Sequence, residues 1–194
     1  MAKRHLQAID NLRRSLERSA TEEVRKKVLE GSERLDEGSD PAQVARWVQG
    51  AMKRLDDAAG KRARSRIMEE CGAACAQANP GTIDRVIAKR KKYGNLEEFL
   101  EAEKDTLLPG MRLEKKGRAL YQYYMPRSFG RAGRCFCSLI SGLPPDETIS
   151  PTYCQCSKGF AQRMWERVLG RPVKVEVLET VLTGAAECKF RVYL

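Results

Sequence analysis

The fold is decided by residues 160–194, which read FAQRMWERVLGRPVKVEVLETVLTGAAECKFRVYL. From Phe160 to Leu169, apolar residues share one side at helical spacing, and this pattern predicts a helix that ends at Gly170. Apolar and polar residues then alternate from Val173 to Val177 and again from Cys188 to Leu194. Because such alternation puts the apolar side chains on one face of a strand, the segment predicts a helix followed by a β-hairpin.

The predicted hairpin also places one acidic residue on the apolar face of the sheet. With the turn at Gly184, we expect Val177 to pair with Val192. In that register Glu179 is opposite Phe190, on the apolar face of the sheet. A carboxylate there lies either at the sheet margin or in a buried polar site, so Glu179 is a candidate functional residue.

Upstream of this unit the patterns predict mostly helices, followed by short strands. The Asp40-Pro41 step is a helix start, because aspartate caps a first turn and proline fits its first position. Helices are expected from Glu22 to about Gly31, from Pro41 to Gly60, and over Lys61 to Ala78, Thr82 to Lys91 and Leu96 to Lys104. Strands are expected at Met111 to Leu113, Leu120 to Met125, Cys135 to Ile140 and Thr152 to Cys156.

These elements predict an α+β protein, with N-terminal helices followed by helices packed on an antiparallel sheet. The chain has 194 residues, of which 42% are hydrophobic, so it can bury a core without disulfides. We divide it into an N-terminal helical segment, 1–60, and a cysteine-containing α+β domain, 61–194. The start lacks the apolar run of a signal peptide, and no span is long and apolar enough for a membrane, so we expect a cytoplasmic protein.

The net charge of +10 raises the question of an anionic partner. Basic residues form three short runs, at Lys61 to Arg66, Arg85 to Lys92 and Arg127 to Arg134. Base-stacking aromatics are not interleaved with these runs, so solvated helix faces are favoured over nucleic-acid binding. A small anionic ligand fits the charge equally well. The apolar stripe with Trp47 and Met52 packs either on the domain or on a second subunit, which leaves a homo-oligomer open.

Six of the seven cysteines form three close pairs. The first pair has the i, i+4 spacing of one helix face, and the other two have the i, i+2 spacing of one strand face. In a reducing compartment, clustered cysteines favour metal binding or redox chemistry over structural disulfides. The pairs are Cys71 with Cys75, Cys135 with Cys137, and Cys154 with Cys156.

The two Cys-x-Cys pairs are predicted to face each other across a hairpin. Closing it around residues 144–145 pairs Cys137 with Cys154 and Cys135 with Cys156. Four sulfurs would then form a rectangle on one face, which zinc or, with less convergence, an iron–sulfur cluster could use. The helical pair could lie over the sheet and complete or replace part of this ligand set.

Other roles for the cysteines stay open. Free cysteine is often a small buried hydrophobe, and this interpretation is strongest for Cys188. His5 is the only histidine, so a Cys–His catalytic pair is not expected. Arg134 or the helix start at Lys158 could activate a thiolate or bind an anion. Tyr123 is a further candidate for lining a ligand cavity, although core burial explains it as well.

Several motifs between residues 67 and 194 resemble a prokaryotic protein family of unknown activity. They read MEECGAAC at 68–75, CFC at 135–137, SPTYCQCSKG at 150–159 and CKF at 188–190. The pieces MWE and LGRPV between the last two motifs match as well. The resemblance implies no activity.

The end of the chain also resembles two other groups. These are the four-vinyl reductase and TRAPP-subunit-like ligand-binding fold, and the L-2-amino-thiazoline-4-carboxylate hydrolase family. The shared piece is a strand, a glycine turn, and a cysteine and an aromatic in the last strand, here Gly184, Cys188 and Phe190. The resemblance implies helices on an antiparallel sheet with a cavity between them, and it transfers no catalytic residue.

From these observations we expect a cytoplasmic metal- or small-ligand-binding module, a sensor or binding domain built on the six paired cysteines. One alternative is an enzyme, either a hydrolase of the thiazoline type or a thiol-dependent reductase, with Glu179, Lys158 or Arg134 near its cysteine. Another alternative is a nucleic-acid-associated basic protein.

Overall fold

Helices fill the first half of the chain, and their starts follow the capping rules. A computed structural model describes residues 2–124, 135, 137–140, 142–144 and 147–194. Thr21, Asp40 and Asn95 each accept a hydrogen bond from a backbone N–H in the first turn of the following helix, as predicted for Asp40. The helices are α1 Ala2–Ser19, α2 Glu22–Leu29, α3 Pro41–Ala58, α4 Lys61–Ala78, α5 Pro80–Arg90, α6 Leu96–Ala102 and α7 Cys154–Leu169. None of these described helices has the length and apolar character needed to cross a bilayer.

The four described strands form one antiparallel sheet, which confirms the α+β class. They are β1 Met111–Lys116, β2 Ala119–Tyr124, β3 Val175–Glu179 and β4 Cys188–Tyr193, in the order β1-β2-β4-β3. Helix α7 lies between β2 and β3 in the chain and packs on one face of the sheet. There the indole Nε1 of the fully buried Trp165 donates to Oε1 of Gln122 at 2.6 Å. The chain therefore ends in a helix and a hairpin, as predicted.

The C-terminal hairpin forms, but its predicted register is wrong. Val175, rather than Val177, is opposite Val192, and the pairing becomes irregular between Val177 and Glu179. Glu179 is exposed at the sheet margin, where its Oε1 lies 3.7 Å from Nζ of Lys189. An irregularity of this kind shifts the partners of a whole strand, and alternation of residue types does not reveal it.

The hairpin predicted around the two Cys-x-Cys pairs is also wrong. Residues 138–140 and 151–153 form single 3-10 turns, and α7 begins at Cys154, earlier than predicted. The physical cause is a helix start, since Oγ of Ser150 accepts from the N–H of Thr152 and a proline follows Ser150. The predicted rectangle of four sulfurs does not form, because its second pair belongs to a helix.

Two apolar clusters form the core of the described residues. One joins α1, α3 and α4, and its fully buried members include Leu16, Leu55 and Ile67. The other joins α5, α6 and α7 to the sheet around Trp165 and Phe190. The first cluster draws on both sides of the division at residue 60, so the N-terminal helices pack directly on α4. The division itself stays a prediction.

Candidate thiol site at the crossing of two helices

Two glycines bring α4 and α7 into backbone contact. A Cβ on Gly72 would overlap the carbonyl oxygen of Cys156, and a Cβ on Gly159 would overlap that of Glu69. Any other residue would therefore force the helices apart, and glycine is the residue that permits this approach. The crossing sets the first turn of α7 against the middle of α4.

This crossing places thiols from both helices side by side. Cys71 and Cys75 lie one turn apart on α4, as their spacing predicts, and Cys156 lies in the first turn of α7. The thiols of Cys71 and Cys156 belong to the same apolar cluster and lie near enough to each other that Cys71 acts on the ionisation of Cys156. Cys75 is close enough to Cys156 and Cys137 for their charges to act on its ionisation. Cys71 is 6% exposed, whereas Cys75 and Cys156 are half-buried.

The other Cys-x-Cys pair reaches the same place from the segment before α7. The hydroxyl of Tyr153 donates to Sγ of Cys137 at 2.9 Å, and the N–H of Cys137 lies 3.5 Å from Sγ of Cys135. Tyr153 is buried and immediately precedes α7. The turn that starts α7 therefore also carries a hydrogen-bond donor to a cysteine sulfur.

The remaining thiols connect this region to the sheet. Cys154 begins α7 and forms a hydrogen bond with Thr180, and Cys188 begins β4 and accepts from the N–H of Val181 at 3.5 Å. Cys135 lies near enough to Cys154 and Cys188 to interact electrostatically with both. The seven thiols are called the thiol cluster here, and they are Cys71, Cys75, Cys135, Cys137, Cys154, Cys156 and Cys188.

Burial keeps the thiols of Cys75 and Cys154 protonated. It raises the pKa of Cys75 to about 12 and the pKa of Cys154 to about 11. The groups that oppose these shifts are neutral: the Asn79 amide at Cys75 and the Thr180 hydroxyl at Cys154. A buried thiol in such surroundings is a weak nucleophile, because the thiolate is the reactive form.

Three further thiols show shifts in the same direction, for two different reasons. The neighbouring Cys71 thiol raises the pKa of Cys156 well above its ordinary value, and burial adds to this shift. Burial is the main cause that raises the pKa values of Cys135 and Cys188. These three thiols, like Cys75 and Cys154, are therefore uncharged at ordinary pH.

All seven cysteines lie in the described ranges, and all are free thiols. Within those same ranges, no three Cys, His, Asp or Glu side chains already surround one point as the ligands of a metal ion do. Sulfur ligands of zinc lie about 2.3 Å from the ion, so binding would require several of these side chains to turn toward a common point.

The residues predicted to line a ligand pocket are spread over the molecule. Tyr123 lies on the sheet face opposite α7, and Lys158 lies on α7, where its Nζ is 2.6 Å from the carboxylate of a glutamate on α4. Glu179 is at the sheet margin. Arg134, with the rest of the basic segment over residues 125–134, lies outside the described residues.

Sequence reasoning missed the residues that assemble the site. Gly72 and Gly159 sit inside helical patterns, and an interior glycine is itself a signal of close approach by another element. The Ser150-Pro151 step was an available helix-start signal for α7. Tyr153 and Thr180 had no local signal, because their partners become neighbours only through the fold.

Fold and site together define an α+β protein in which seven thiols come from two crossing helices, the segment before α7 and the start of β4. The chain belongs to a family of unknown function, DUF6144, whose profile matches residues 3–194. The match includes the N-terminal helices, the crossing and the sheet, in agreement with the predicted resemblance to a family of unknown activity. No protein with a curated description matches the chain.

Proposed function

We propose that the protein is a cytoplasmic binding or sensor module that takes up a soft metal ion, zinc or an iron–sulfur cluster, at the thiol cluster. The observation that carries this proposal is the approach of thiols from α4, from α7 and from the segment before α7 to one place. Soft thiolate ligands select zinc, copper(I) and iron–sulfur clusters.

The ligand set that the contacts favour is Cys71, Cys75, Cys137 and Cys156. Cys75 interacts with both Cys137 and Cys156, and Cys156 contacts Cys71, so the four thiols are linked without a break. Four sulfurs match a structural zinc site or one iron–sulfur cluster. In each case the metal would draw the side chains together, since metal sites are rarely preformed without their ion.

Two features next to these thiols would favour a bound metal. A metal held by four thiolates is anionic, and the start of α7 carries the partial positive charge of a helix N-terminus. The Tyr153 hydroxyl already donates to Sγ of Cys137, as an outer partner of a metal ligand does. Loss of the thiol protons to the metal would also remove the cost of burying a thiolate without a cation.

The test is the metal content of protein purified without oxygen and without chelators. Elemental analysis, the ultraviolet–visible spectrum and a thiol count are measured on the wild type and on the Cys156→Ser and Cys188→Ser variants. We expect stoichiometric zinc or iron in the wild type and in Cys188→Ser, because Cys188 is outside the favoured ligand set. Loss of a direct ligand should cost at least the roughly 10- to 100-fold in affinity that loss of an outer partner costs.

Cys188→Ser is a matched control, since both variants replace one sulfur of the thiol cluster by oxygen. A wild type that holds no metal and binds none on dialysis against zinc would overturn the proposal. Equal metal loss in both variants would overturn the ligand set while keeping the metal.

The tyrosine gives a second, independent test. Tyr153→Phe keeps every sulfur and most of the buried ring but removes the donor to Cys137. We expect zinc affinity to fall by roughly 10- to 100-fold, measured by competition with a chromophoric chelator. Unchanged affinity would exclude the Cys137 sulfur, or its hydrogen bond, from the site.

The second candidate function is a thiol-dependent enzyme, of the thiazoline-hydrolase or reductase type that the C-terminal resemblance implies. The observation in its favour is Cys154, which begins α7 and whose ionisation Thr180 assists through a hydrogen bond. Burial nevertheless raises the pKa of Cys154 to about 11, so this thiol is mostly protonated near neutral pH. Alkylation of Cys154 at least as fast as that of free glutathione at pH 7 would favour the enzyme.

A further inference from the structure

The neighbouring thiols of Cys71 and Cys156 can undergo a reaction that needs no metal. These two residues lie on different helices, and the helices meet without intervening side chains because of Gly72 and Gly159. Both cysteines pack in the same core cluster, and the backbone of Cys156 lies against the residue that follows Cys71. Two thiols placed in this way across a close helix crossing are candidates for oxidation to a disulfide.

We propose that Cys71 and Cys156 form a reversible disulfide that joins α4 to α7 by exchange with a low-molecular-weight disulfide. This step goes beyond metal binding and does not depend on it. It would make the crossing a redox-responsive element, since the oxidised pair could no longer bind metal as two thiolates.

The spacing of the cysteines explains why the bond would form between helices rather than within one. Cys71 and Cys75 are i, i+4 on α4, where Cβ atoms lie about 5–6 Å apart, and a disulfide needs about 3.5–4.5 Å. Cys154 and Cys156 are two residues apart on α7, so they point to nearly opposite sides of the helix. Cys71 and Cys156 come from different helices, so neither of these helical spacings limits their approach.

The exchange balances in two steps. Cys156 loses its proton to water, and the small thiolate fraction attacks one sulfur of the small disulfide, whose S–S bond breaks and releases one small thiol. Cys156 attacks first because it is half-buried, whereas Cys71 is 6% exposed. The Cys71 thiolate then attacks the Cys156 sulfur, which forms the protein disulfide and releases the second small thiol. The protein loses two electrons and two protons, and the small disulfide gains both.

The experiment uses metal-free, fully reduced, full-length protein with oxidised glutathione as the probe. The reaction is stopped by denaturation in iodoacetamide, and the remaining disulfides are then reduced and labelled with N-ethylmaleimide. Trypsin releases Cys71 and Cys75 together in residues 67–85 and four other cysteines in residues 135–158. Fragment ions are therefore needed to separate Cys71 from Cys75 and Cys154 from Cys156.

We expect the maleimide label on Cys71 and Cys156, and iodoacetamide on the other five cysteines. Oxidation should also raise Tm by roughly 4–16 °C, as a disulfide that closes a long loop does. Labels on any other pair, glutathione adducts alone, or seven thiols still free in excess oxidised glutathione would overturn the proposal.

The variant Cys156→Ser should yield no protein disulfide, whereas Cys188→Ser should yield the same disulfide as the wild type. The wild-type map decides the question even if Cys156→Ser fails to fold. Because the protein is metal-free throughout, a negative result here leaves metal binding untouched, and a protein without metal can still give the disulfide.

Discussion

Two regions of the molecule differ in the partners of their polar groups. One is the crossing of α4 and α7, and the other is the outer face of the sheet, which is the face opposite α7. On the outer face, Cζ of Arg112 lies 3.7 Å from the ring centroid of Tyr123, and the Tyr123 hydroxyl donates to Glu114 at 2.8 Å. Arg112 in turn pairs with Glu187 at 3.2 Å. Charges of both signs thus lie within a few ångströms of each other on this face.

At the crossing, the polar groups are buried thiols, and the neighbours of those thiols include other thiols. Burial holds them in the neutral form, and the groups that oppose this are hydroxyl, amide and peptide groups rather than cations. The comparison sets a surface whose charges pair with each other against a buried group of thiols, at which we propose binding of a soft ion or oxidation to a disulfide.

The largest loss of stability is expected from a substitution at the crossing of α4 and α7. Gly72→Ala adds one methyl group that overlaps the carbonyl oxygen of Cys156, which is backbone and cannot swing away. We expect the free energy of unfolding in urea to fall by about 3 kcal/mol or more, because overpacking against backbone forces α4 and α7 apart.

Gly81→Ala is the matched control for this variant. Gly81 is also helical, in α5, and a Cβ there would meet no described atom within 4 Å. The change should alter stability by less than about 1 kcal/mol, since alanine also favours the helix. Equal effects of the two substitutions would show that the backbone contact does not hold the crossing together.

Much of the fold could be predicted because its signals are local. Helix α4 has the predicted bounds, and the caps at Thr21, Asp40 and Asn95 form. The wrong predictions arose where one sequence pattern is compatible with two kinds of secondary structure. An i, i+2 cysteine pair suggests a strand face, yet Cys154 and Cys156 lie in a helix whose start is set by Ser150.

The site was less predictable than the fold because long-range contacts assemble it. The three cysteine pairs indicated a shared thiol site, and the structure brings thiols from all three pairs together. Their approach depends on Gly72 and Gly159, which meet the opposite helix only after the chain has folded. Cys188 reaches the cluster through the sheet register, which a bulge in β3 alters. Binding of a metal stays a prediction.

Alkaline pH should weaken the folded protein through the buried thiols. An unfolded thiol loses its proton near pH 9.0, whereas burial raises the pKa of Cys75 to about 12 in the folded protein. Below pH 9 both states hold the proton and the contribution to stability is complete. Between these two pKa values only the folded state holds it, so stability falls as pH rises.

This is measured as the urea midpoint of metal-free, reduced protein between pH 8 and pH 11. Cys75→Ala should flatten the decrease, and the part that remains includes Cys154, whose pKa burial raises to about 11. Because lysines and tyrosines titrate in the same range, the difference between the two proteins is the readout. Parallel curves would mean that Cys75 ionises in the folded protein as easily as in the unfolded chain.

The smallest expected effects lie on the outer face of the sheet. Arg112→Ala removes the guanidinium over the Tyr123 ring and the ion pair with Glu187, so we expect a loss of about 1 kcal/mol. Lys116→Ala, the matched control, removes a side chain that is 64% exposed, pairs with Glu114 at 2.8 Å and lies 5.8 Å from the Tyr121 ring centroid. Because this ion pair is solvated, the change should alter stability by less than about 0.5 kcal/mol. Urea unfolding at low and high salt separates the two contributions, because salt screens the ion pair more than the ring contact. A loss of several kcal/mol on Arg112→Ala would contradict the contrast between the two regions, since a solvated network of matched charges should tolerate the loss of one member.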